Sequence, residues 1–587
     1  LTVLRAIGAS WLVDARLRSL EGPTIDLLDA RDALHLATGR VGDRLTLQEQ
    51  GPASRILGDP NPDTFLRRVS AAGRAIAYVS DEAWHRVDRL ISERRRIPVR
   101  FTRSSASARA PLTEGVVVQD GDVVLAADAR PDRDPVLVLR AAAAAAQAGL
   151  RLSPYAVERL ANESAPMPVP WPATARDALV SLLGAGKPAI AVWEALEQQN
   201  VITALIPQWG FVRSAPQRNP VHRFTVDRHL VETAVNASDR MRSVARPDLL
   251  LVGALLHDIG KGQGGDHTEI GVRIVTELGP RLGFDARDSE VLVSMVRNHL
   301  LLPDTATRRD LTDPATALMV ADAVKTGEVL DLLGALSWAD AAATGPAAWS
   351  TWKSELISDL VRRVHAVLAG ESAPLPPVLT PAQLAVADAP AVAVLVEEGA
   401  GAWQVTVGAD DRLGLLATVA GVLALHRLAV RSARTETVGA RAVTVWNVEP
   451  EFGEPPGVDT LRQDIRLALA GTLDVTAKLA QRAAAQRRPG SIGRPPPRVD
   501  AIGAASQRAT VVEVRAHDAP GLLHVIATAI SSADVVIDAA KVETLGSEVV
   551  DVFYLLADGR RLDDEQIAAV RDAVLQGLTG IGGQVEP

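Results

Sequence analysis

An internal repeat limits what the last third of this chain can fold into. Residues 403–447 set against 510–554, an offset of 107, align without a gap and match at 14 of 45 positions, where about three would match by chance. The matches include Val405/Val512, Val407/Val514, Asp411/Asp518, Gly414/Gly521, Leu415/Leu522, Glu436/Glu543 and Gly439/Gly546. Each copy reads as strand, a turn carrying Asp and Gly, helix, two β-rich runs, helix and a short final strand. That order is βαββαβ, the ferredoxin-like unit: a four-stranded antiparallel sheet with helices on one face.

The rest of the chain is patterned for helix, which makes the whole a multidomain α+β protein. Residues 1–96 read as helical, and 97–210 as a hairpin followed by helices. The hairpin is Val116–Leu125, two β-rich runs around Asp120-Gly121, a strong short-range turn signal. Its Asp120/Asp122 pair, like Asp132/Asp134, has the D-x-D spacing of metal-dependent nucleotidyltransferases, but no Gly-Ser strand-loop precedes either, so hairpin and loop are the expected roles. Residues 211–370 form the longest helix-patterned block. Proline-rich 371–400 reads as a linker, 401–478 as the first repeat, Arg/Pro/Gly-rich 479–507 as a flexible linker, and 508–587 as the second repeat.

Composition removes several function classes. With no cysteine in 587 residues, thiolate metal sites, disulfides and thiol nucleophiles are excluded, leaving His, Asp and Glu as metal ligands. A net charge of −9 is the opposite of a nucleic-acid-binding footprint. No run reaches the roughly 20 apolar residues a membrane helix needs. Leu1–Val13 lacks the basic start and cleavage site of a signal peptide, so a cytoplasmic setting is expected.

The polar chemistry is concentrated in the central block. Five of the eleven histidines, His222, His229, His257, His267 and His299, fall within 78 residues. Leu250–Leu256 is an apolar helix running into His257-Asp258-Ile259-Gly260-Lys261-Gly262. Adjacent helical residues point about 100° apart, so His257 and Asp258 can share a metal only at a helix end, which the glycines allow. His229 and Asp340 complete a candidate set of two imidazoles and two carboxylates, with Asp331 a competitor for the last place. His267 and His299 are candidates as further ligands or as acid/base groups, Lys261 as a donor to a phosphate oxygen, and Arg308 and Arg309 as a phosphate clamp.

This His…His-Asp…Asp pattern resembles the HD phosphohydrolase superfamily. Combined with Pro216–His229, Ala339–Pro346 and the two Asp-x-x-Gly-Leu-Leu repeats, it resembles the bifunctional uridylyltransferase/uridylyl-removing enzymes that act on the PII signalling protein. Ala33–Arg40 and Asp43–Leu45 are similar to the helical segment that follows that family's nucleotidyltransferase core. The transferase Gly-Ser and Asp-x-Asp motifs are not found before His35, so transferase activity is expected only if a domain precedes this chain.

The resemblance implies a metal-dependent phosphodiesterase, using Mn²⁺ or Mg²⁺, that removes UMP or AMP from a tyrosine of PII. It further implies that the repeats are ACT domains answering to glutamine, with Asp411, Gly414, Asp518 and Gly521 as effector-binding candidates. The first repeat lacks the proline that Pro520 supplies in the second. Two alternatives stay open: a noncatalytic amino-acid-sensing protein, and a guanosine-tetraphosphate hydrolase, which also pairs HD with ACT but in a different order.

Overall fold

A computed structural model describes residues 17–95, 110–218, 221–345, 348–372, 379–399, 402–486, 496–503, 505–545 and 548–582. The segment Leu1–Val13, Asn219 and Pro220, Gly546, and residues 487–495 of the expected second linker lie outside the described residues. The chain divides into two compact units, Leu1–His299 with Asp331–Gly345, and Leu300–Leu330 with Pro346–Pro587.

In the first unit, α1 (Glu21–Thr38) and α2 (Leu47–Ile56) pack on the long α3 (Pro62–Arg95). Small residues let them approach: Ala30, Ala33 and Ala53 surround Phe65 in a shared core. A three-stranded sheet follows, β1 (Ala110–Thr113), β2 (Val116–Gln119) and β3 (Asp122–Leu125). Asp120 and Gly121 both take positive φ, 55° and 82°, as the tight β2–β3 turn requires. Asp122 is held by His85 at 3.0 Å and Arg89 at 2.6 Å, Asp132 by Arg130 and Asp134 by Arg140. Asp122, Asp132 and Asp134 are thus ion-paired, and among the described residues neither D-x-D pair joins a metal-ligand cluster.

Helices α4 (Leu137–Gln147), α5 (Pro154–Glu163), α6 (Ala173–Gly184) and α7 (Pro188–Gln198) lead to the histidine-bearing helices. These are α8 (Val226–Ala237), α9 (Pro247–Leu256), α10 (His267–Arg281) and α11 (Ala286–Arg297). Every residue of α9 from Leu249 to Leu256 is buried, as expected of a helix apolar on all sides. Then come α12 (Leu301–Arg308), α13 (Pro314–Val324), α14 (Gly327–Thr344), which carries Asp340, and α15 (Thr351–Leu368).

The second unit is organised on an eight-stranded antiparallel sheet. The expected linker at 371–400 contains structure: α16 (Pro381–Ala387), opened by a Thr380/Gln383 capping box, and β4 (Ala393–Glu398). The first repeat is β5 (Trp403–Asp410), α17 (Leu415–Leu425), β6 (Leu428–Val438), β7 (Arg441–Pro450) and α18 (Val458–Leu469), followed by α19 (Val475–Gln486). The second is β8 (Arg498–Ile502), β9 (Thr510–His517), α20 (Leu522–Ser532), β10 (Val536–Leu545), β11 (Glu548–Leu556) and α21 (Asp564–Gly582). The offset of 107 is kept to the residue by β5/β9 and α17/α20.

Strand order is β4-β5-β7-β6-β10-β11-β9-β8, with the repeats joined where Ser432–Arg434 pair with Ala539–Lys541. The α+β class holds, and one detail of the repeat differs. The fourth strand of each half is β4 or β8, from the N-terminal side, rather than a short final strand after the second helix. An open edge on β5 or β9 needs a partner, and alternating Val394/Val396 or Val499 gives the preceding segment an apolar face to offer.

One sheet face carries the helical core around Val405, Leu423, Trp446, Ile526 and Phe553. On the other face α16 covers the first repeat through Leu379, Ala387, Val443 and Val445. The second repeat instead meets α12, α13 and α15. Lys541 donates to the carbonyls of Ala306 (2.9 Å) and Arg309 (2.6 Å), Lys353 meets Glu543 at 2.6 Å, and Arg308 meets Glu513 at 3.2 Å. These contacts explain why 300–330 and 346–370, read from sequence as part of the central helical domain, cluster with the repeats.

Asp551 on β11 departs from ordinary packing, being 1% exposed with neither carboxylate oxygen hydrogen-bonded. Burial, and then Asp518, push its carboxyl well above the usual range. The folded state therefore holds a proton that the unfolded chain releases near pH 4, so its contribution to stability falls as pH rises from there. Asp551→Thr, the residue at the matching position of the first repeat, is expected to stabilise the chain by about 1–3 kcal/mol at pH 8. The gain should be smaller at pH 4.5, and calorimetry at the two pH values measures it. Destabilisation at pH 8 would contradict this account.

Candidate metal centre

The ligand candidates come together because most of them sit at helix ends. His257 caps the C-terminus of α9 and Asp258 follows it, as the glycine-rich exit predicts. His267 opens α10, which Asp266 caps by accepting from the Thr268 and Glu269 amides. His299 lies just beyond α11. His229 projects from the first turn of α8 and Asp340 from the last turns of α14.

Gly260 makes the convergence possible. A Cβ there would stand 2.0 Å from the His267 carbonyl oxygen and 2.4 Å from the Gly271 nitrogen, so the turn after Asp258 lies directly against the start of α10.

Two ligand groups form. His229, His257 and Asp340 offer atoms within 4.8 Å of one another, and so do Asp258, His267 and His299. Asp258 stands between them. Its Oδ2 is 3.4 Å from His257 Nε2 and 3.9 Å from His229 Nε2, while Oδ1 is 3.6 Å from His299 Nε2 and 3.7 Å from His267 Nε2. One oxygen faces each group, the disposition of a bridging carboxylate. Asp340, not Asp331, is the carboxylate beside His229, at 2.9 Å.

The atoms themselves test whether a metal fits. His229 Nε2 and Asp340 Oδ1 are out of line for a hydrogen bond despite their separation, and His257 Nε2 and Asp258 Oδ1 are likewise buried without a partner. Ligand atoms about 2.1 Å from an octahedral cation are roughly 3 Å apart, so such spacing suits donors aimed at a common centre. His257 Nδ1 donates to the Ala254 carbonyl at 2.8 Å and His299 Nδ1 to Val296 at 2.7 Å, which orients both rings with Nε2 inward. The residues present fit a divalent cation.

The electrostatics agree. Burial opposes charge on Asp258, yet His257 and Lys261 outweigh it and hold the carboxyl well below its usual range; Asp340 is held low in the same way by His229 and His257. Burial also opposes protonation of His257, but Asp258 and Asp340 raise it to about 10, so positive charge is drawn to this point. Burial lowers His299, and lowers His222 to about 4, with Lys261 adding to the latter. Burial thus favours the neutral form of both rings.

Lys261 Nζ lies 2.6 Å from Asp258 Oδ2 and 3.2 Å from Gln217 Oε1. Gln217 had no role assigned from sequence, being an ordinary polar residue in a loop. Another element missed was the support behind α8: Arg74 of α3 bonds Glu194 at 2.7 Å and also bonds Asp227, two residues before His229. Its partners lie 120 and 153 residues away, so no local pattern announces it. Arg308, read from sequence with Arg309 as a phosphate clamp, is engaged by Asp304 and Glu513, and the Arg309 carbonyl receives Lys541.

The effector candidates lie in the other unit. Gly414 and Gly521 are the N-caps of α17 and α20, with φ of +80° and +78° that glycine adopts without strain. Asp411 accepts from Thr437 at 3.0 Å, and Asp518 is exposed on its loop.

Residues 226–327 match the HD domain family. Over 98% of its length the chain is 46% identical to a bifunctional uridylyltransferase/uridylyl-removing enzyme of Streptomyces coelicolor, covering 76% of that protein. The chain belongs to the bifunctional uridylyltransferase/uridylyl-removing enzyme family. A relative of the same name from Mycobacterium tuberculosis is 42% identical over 91% of this chain and 68% of its own length. A more distant one from Corynebacterium glutamicum is 33% identical over 60% of the chain. As a member of this family with an HD domain, the chain is a phosphodiesterase, and the two ligand groups described above lie in and beside the matched segment. Among the described residues no helix is long and apolar enough to cross a membrane.

Proposed function

We propose that this chain hydrolyses the phosphodiester between UMP and a tyrosine of the PII signalling protein, and that glutamine at the repeats stimulates it. The observation that carries the hydrolytic reading is the convergence of His229, His257 and Asp340 on one side of Asp258 and of His267 and His299 on the other. The Streptomyces and Mycobacterium relatives are uridylyl-removing enzymes by name, which favours uridylyl over adenylyl removal.

His229, His257, Asp258 and Asp340 would hold Mn²⁺ or Mg²⁺. Bound there, a divalent cation supplies a Lewis acid that lowers the pKa of water and offsets phosphate charge. The chain's own groups do the rest. Lys261 donates to a non-bridging phosphate oxygen when that oxygen competes with Asp258 for its ammonium. His267, with 34% of its side chain exposed, is the imidazole best able to pass a proton to the departing tyrosyl oxygen. An oxygen–phosphorus bond forms from water as the bond to the tyrosyl oxygen breaks, giving UMP and the unmodified tyrosine side chain of PII.

The test is nucleotide release from uridylylated and, separately, adenylylated PII. Chelation with EDTA is expected to lower UMP release at least about 100-fold, and Mn²⁺ or Mg²⁺ to restore it. Glutamine should raise the restored rate. Release that survives complete chelation would defeat the metal reading, and release of AMP but not UMP would reassign the nucleotide.

A further inference from the structure

One carboxamide beside the candidate metal centre is only half satisfied. Lys261 Nζ donates to Gln217 Oε1 at 3.2 Å and lies 2.6 Å from Asp258 Oδ2. An ammonium only donates, so the oxygen of the Gln217 carboxamide is the arm that faces it and Nε2 is the arm left over. Nε2 is buried and has no hydrogen-bond partner among the described residues. Buried amide donors are nearly always paired, because an unpaired one forfeits its bonds to water and gains none in return. Gln217 is therefore held in an orientation that costs free energy until an acceptor arrives.

The segment around Gln217 is built to keep that orientation. Arg67 of α3 donates to the carbonyls of Gly210 and Arg213, both at 3.0 Å, and to that of Phe211 at 2.7 Å. Arg74, about two turns further along α3, donates to Ser214 Oγ at 3.1 Å. The Ala215 carbonyl accepts from the Val226 amide at 2.9 Å, at the start of α8. On the other side of Gln217, Arg218 donates to Gln50 of α2 at 2.8 Å and also bonds Asp63 of α3. The turn that carries Lys261 rests on the same segment. A Cβ on Gly262, at φ of +82°, would stand 2.8 Å from the Phe211 carbonyl oxygen that Arg67 holds. Gln217 and Lys261 thus belong to one frame, with the donors set before a substrate arrives.

The donors that remain suit a phosphate. Lys261 has three N–H bonds, of which Asp258 and Gln217 take two, and Gln217 Nε2 adds its own. An acceptor beside an ammonium and a centre suited to a divalent cation is favoured when it is anionic. A phosphodiester brings two non-bridging oxygens of that kind.

We propose that Gln217 is a substrate-binding residue whose Nε2 donates to a non-bridging phosphoryl oxygen beside Lys261, and that Arg67 and Arg74 hold the segment that presents it. The proposal rests on the hydrolytic reading above and deepens it by naming a second phosphate donor. Because the carboxamide is neutral, it adds to phosphate binding without competing for Asp258 as a second cation would.

The full chain is tested by three readings: UMP release from uridylylated PII with Mn²⁺, UMP affinity by titration calorimetry, and Mn²⁺ retained after dialysis. Gln217→Ala is expected to lower kcat/KM at least about 30-fold and to weaken UMP binding at least about 10-fold, with Mn²⁺ retained. Gln217→Glu keeps an acceptor for Lys261 but sets a carboxylate where the donor was, so it should be at least as impaired. Should the thermal midpoint of Gln217→Ala fall, the isosteric Gln217→Glu carries the test. In a Lys261→Met background, Gln217→Ala should still weaken UMP binding at least about 5-fold. Parent-like release by Gln217→Glu, or no further loss in the Lys261→Met background, would overturn the proposal, since Gln217 would then act only by holding Lys261. Loss of Mn²⁺ from Gln217→Ala would overturn it too, because the residue would then support the metal centre. Each of these results leaves the hydrolytic reading standing. Absence of UMP release by the parent would remove that reading and this proposal with it.

Discussion

Asp258→Ala should lower UMP release by at least about 10³-fold, a loss of roughly 4 kcal/mol of transition-state stabilisation. The size follows from position. Among the described residues Asp258 is the one carboxylate whose two oxygens face both ligand groups, and it also holds Lys261 at 2.6 Å, so its removal dismantles three interactions at once. Asp340→Ala removes a ligand from one group only and should cost less. Two measurements are needed: the rate of release at saturating Mn²⁺, and the metal retained after dialysis. Asp258→Ala is expected to lose bound metal together with activity. If it kept more than a tenth of the parent rate, the hydrolytic site would have to lie elsewhere in the chain.

Much of this centre was legible in sequence because its components carry local signals. An apolar helix that ends in His-Asp-Ile-Gly-Lys announces both candidate ligands and the reason they can meet, since the helix stops where the two side chains would otherwise diverge. The repeat was legible for a similar reason: an offset of 107 preserved without a gap means that strands and helices start at matched positions, and β5/β9 and α17/α20 do.

What escaped was non-local. Arg74 could not be linked to Asp227 until α3 was seen against α8, and the division of His267 and His299 from His229 and His257 is a matter of which oxygen of Asp258 each faces. The final strand of each repeat was misjudged because strand pairing is satisfied by any apolar alternating segment that can reach the edge. β4 and β8 reach it from the N-terminal side, inside stretches whose proline content suggested linkers.

Gly260→Ala should be nearly as damaging as the loss of a ligand, although glycine contributes no chemistry. Its φ is not in the left-handed region, so backbone strain is not the cause. The cause is space: the added methyl would meet backbone atoms of His267 and Gly271 at 2.0 and 2.4 Å, and backbone on both sides cannot yield as a flexible side chain could. The turn carrying His257 and Asp258 and the helix carrying His267 must then separate, which pulls the ligand groups apart. A cost of at least about 3 kcal/mol in stability is expected, at the upper end for overpacking, with a loss of metal-dependent release of at least about 100-fold. Gly264→Ala supplies the comparison. Gly264 has φ of +74° but nothing within 4 Å of a Cβ, so the change should cost only about 1 kcal/mol and leave the centre assembled. Unfolding midpoints and Mn²⁺ retention for the two variants separate the effects. If Gly260→Ala held metal as well as Gly264→Ala does, close contact between the His-Asp turn and α10 would not be what assembles the site.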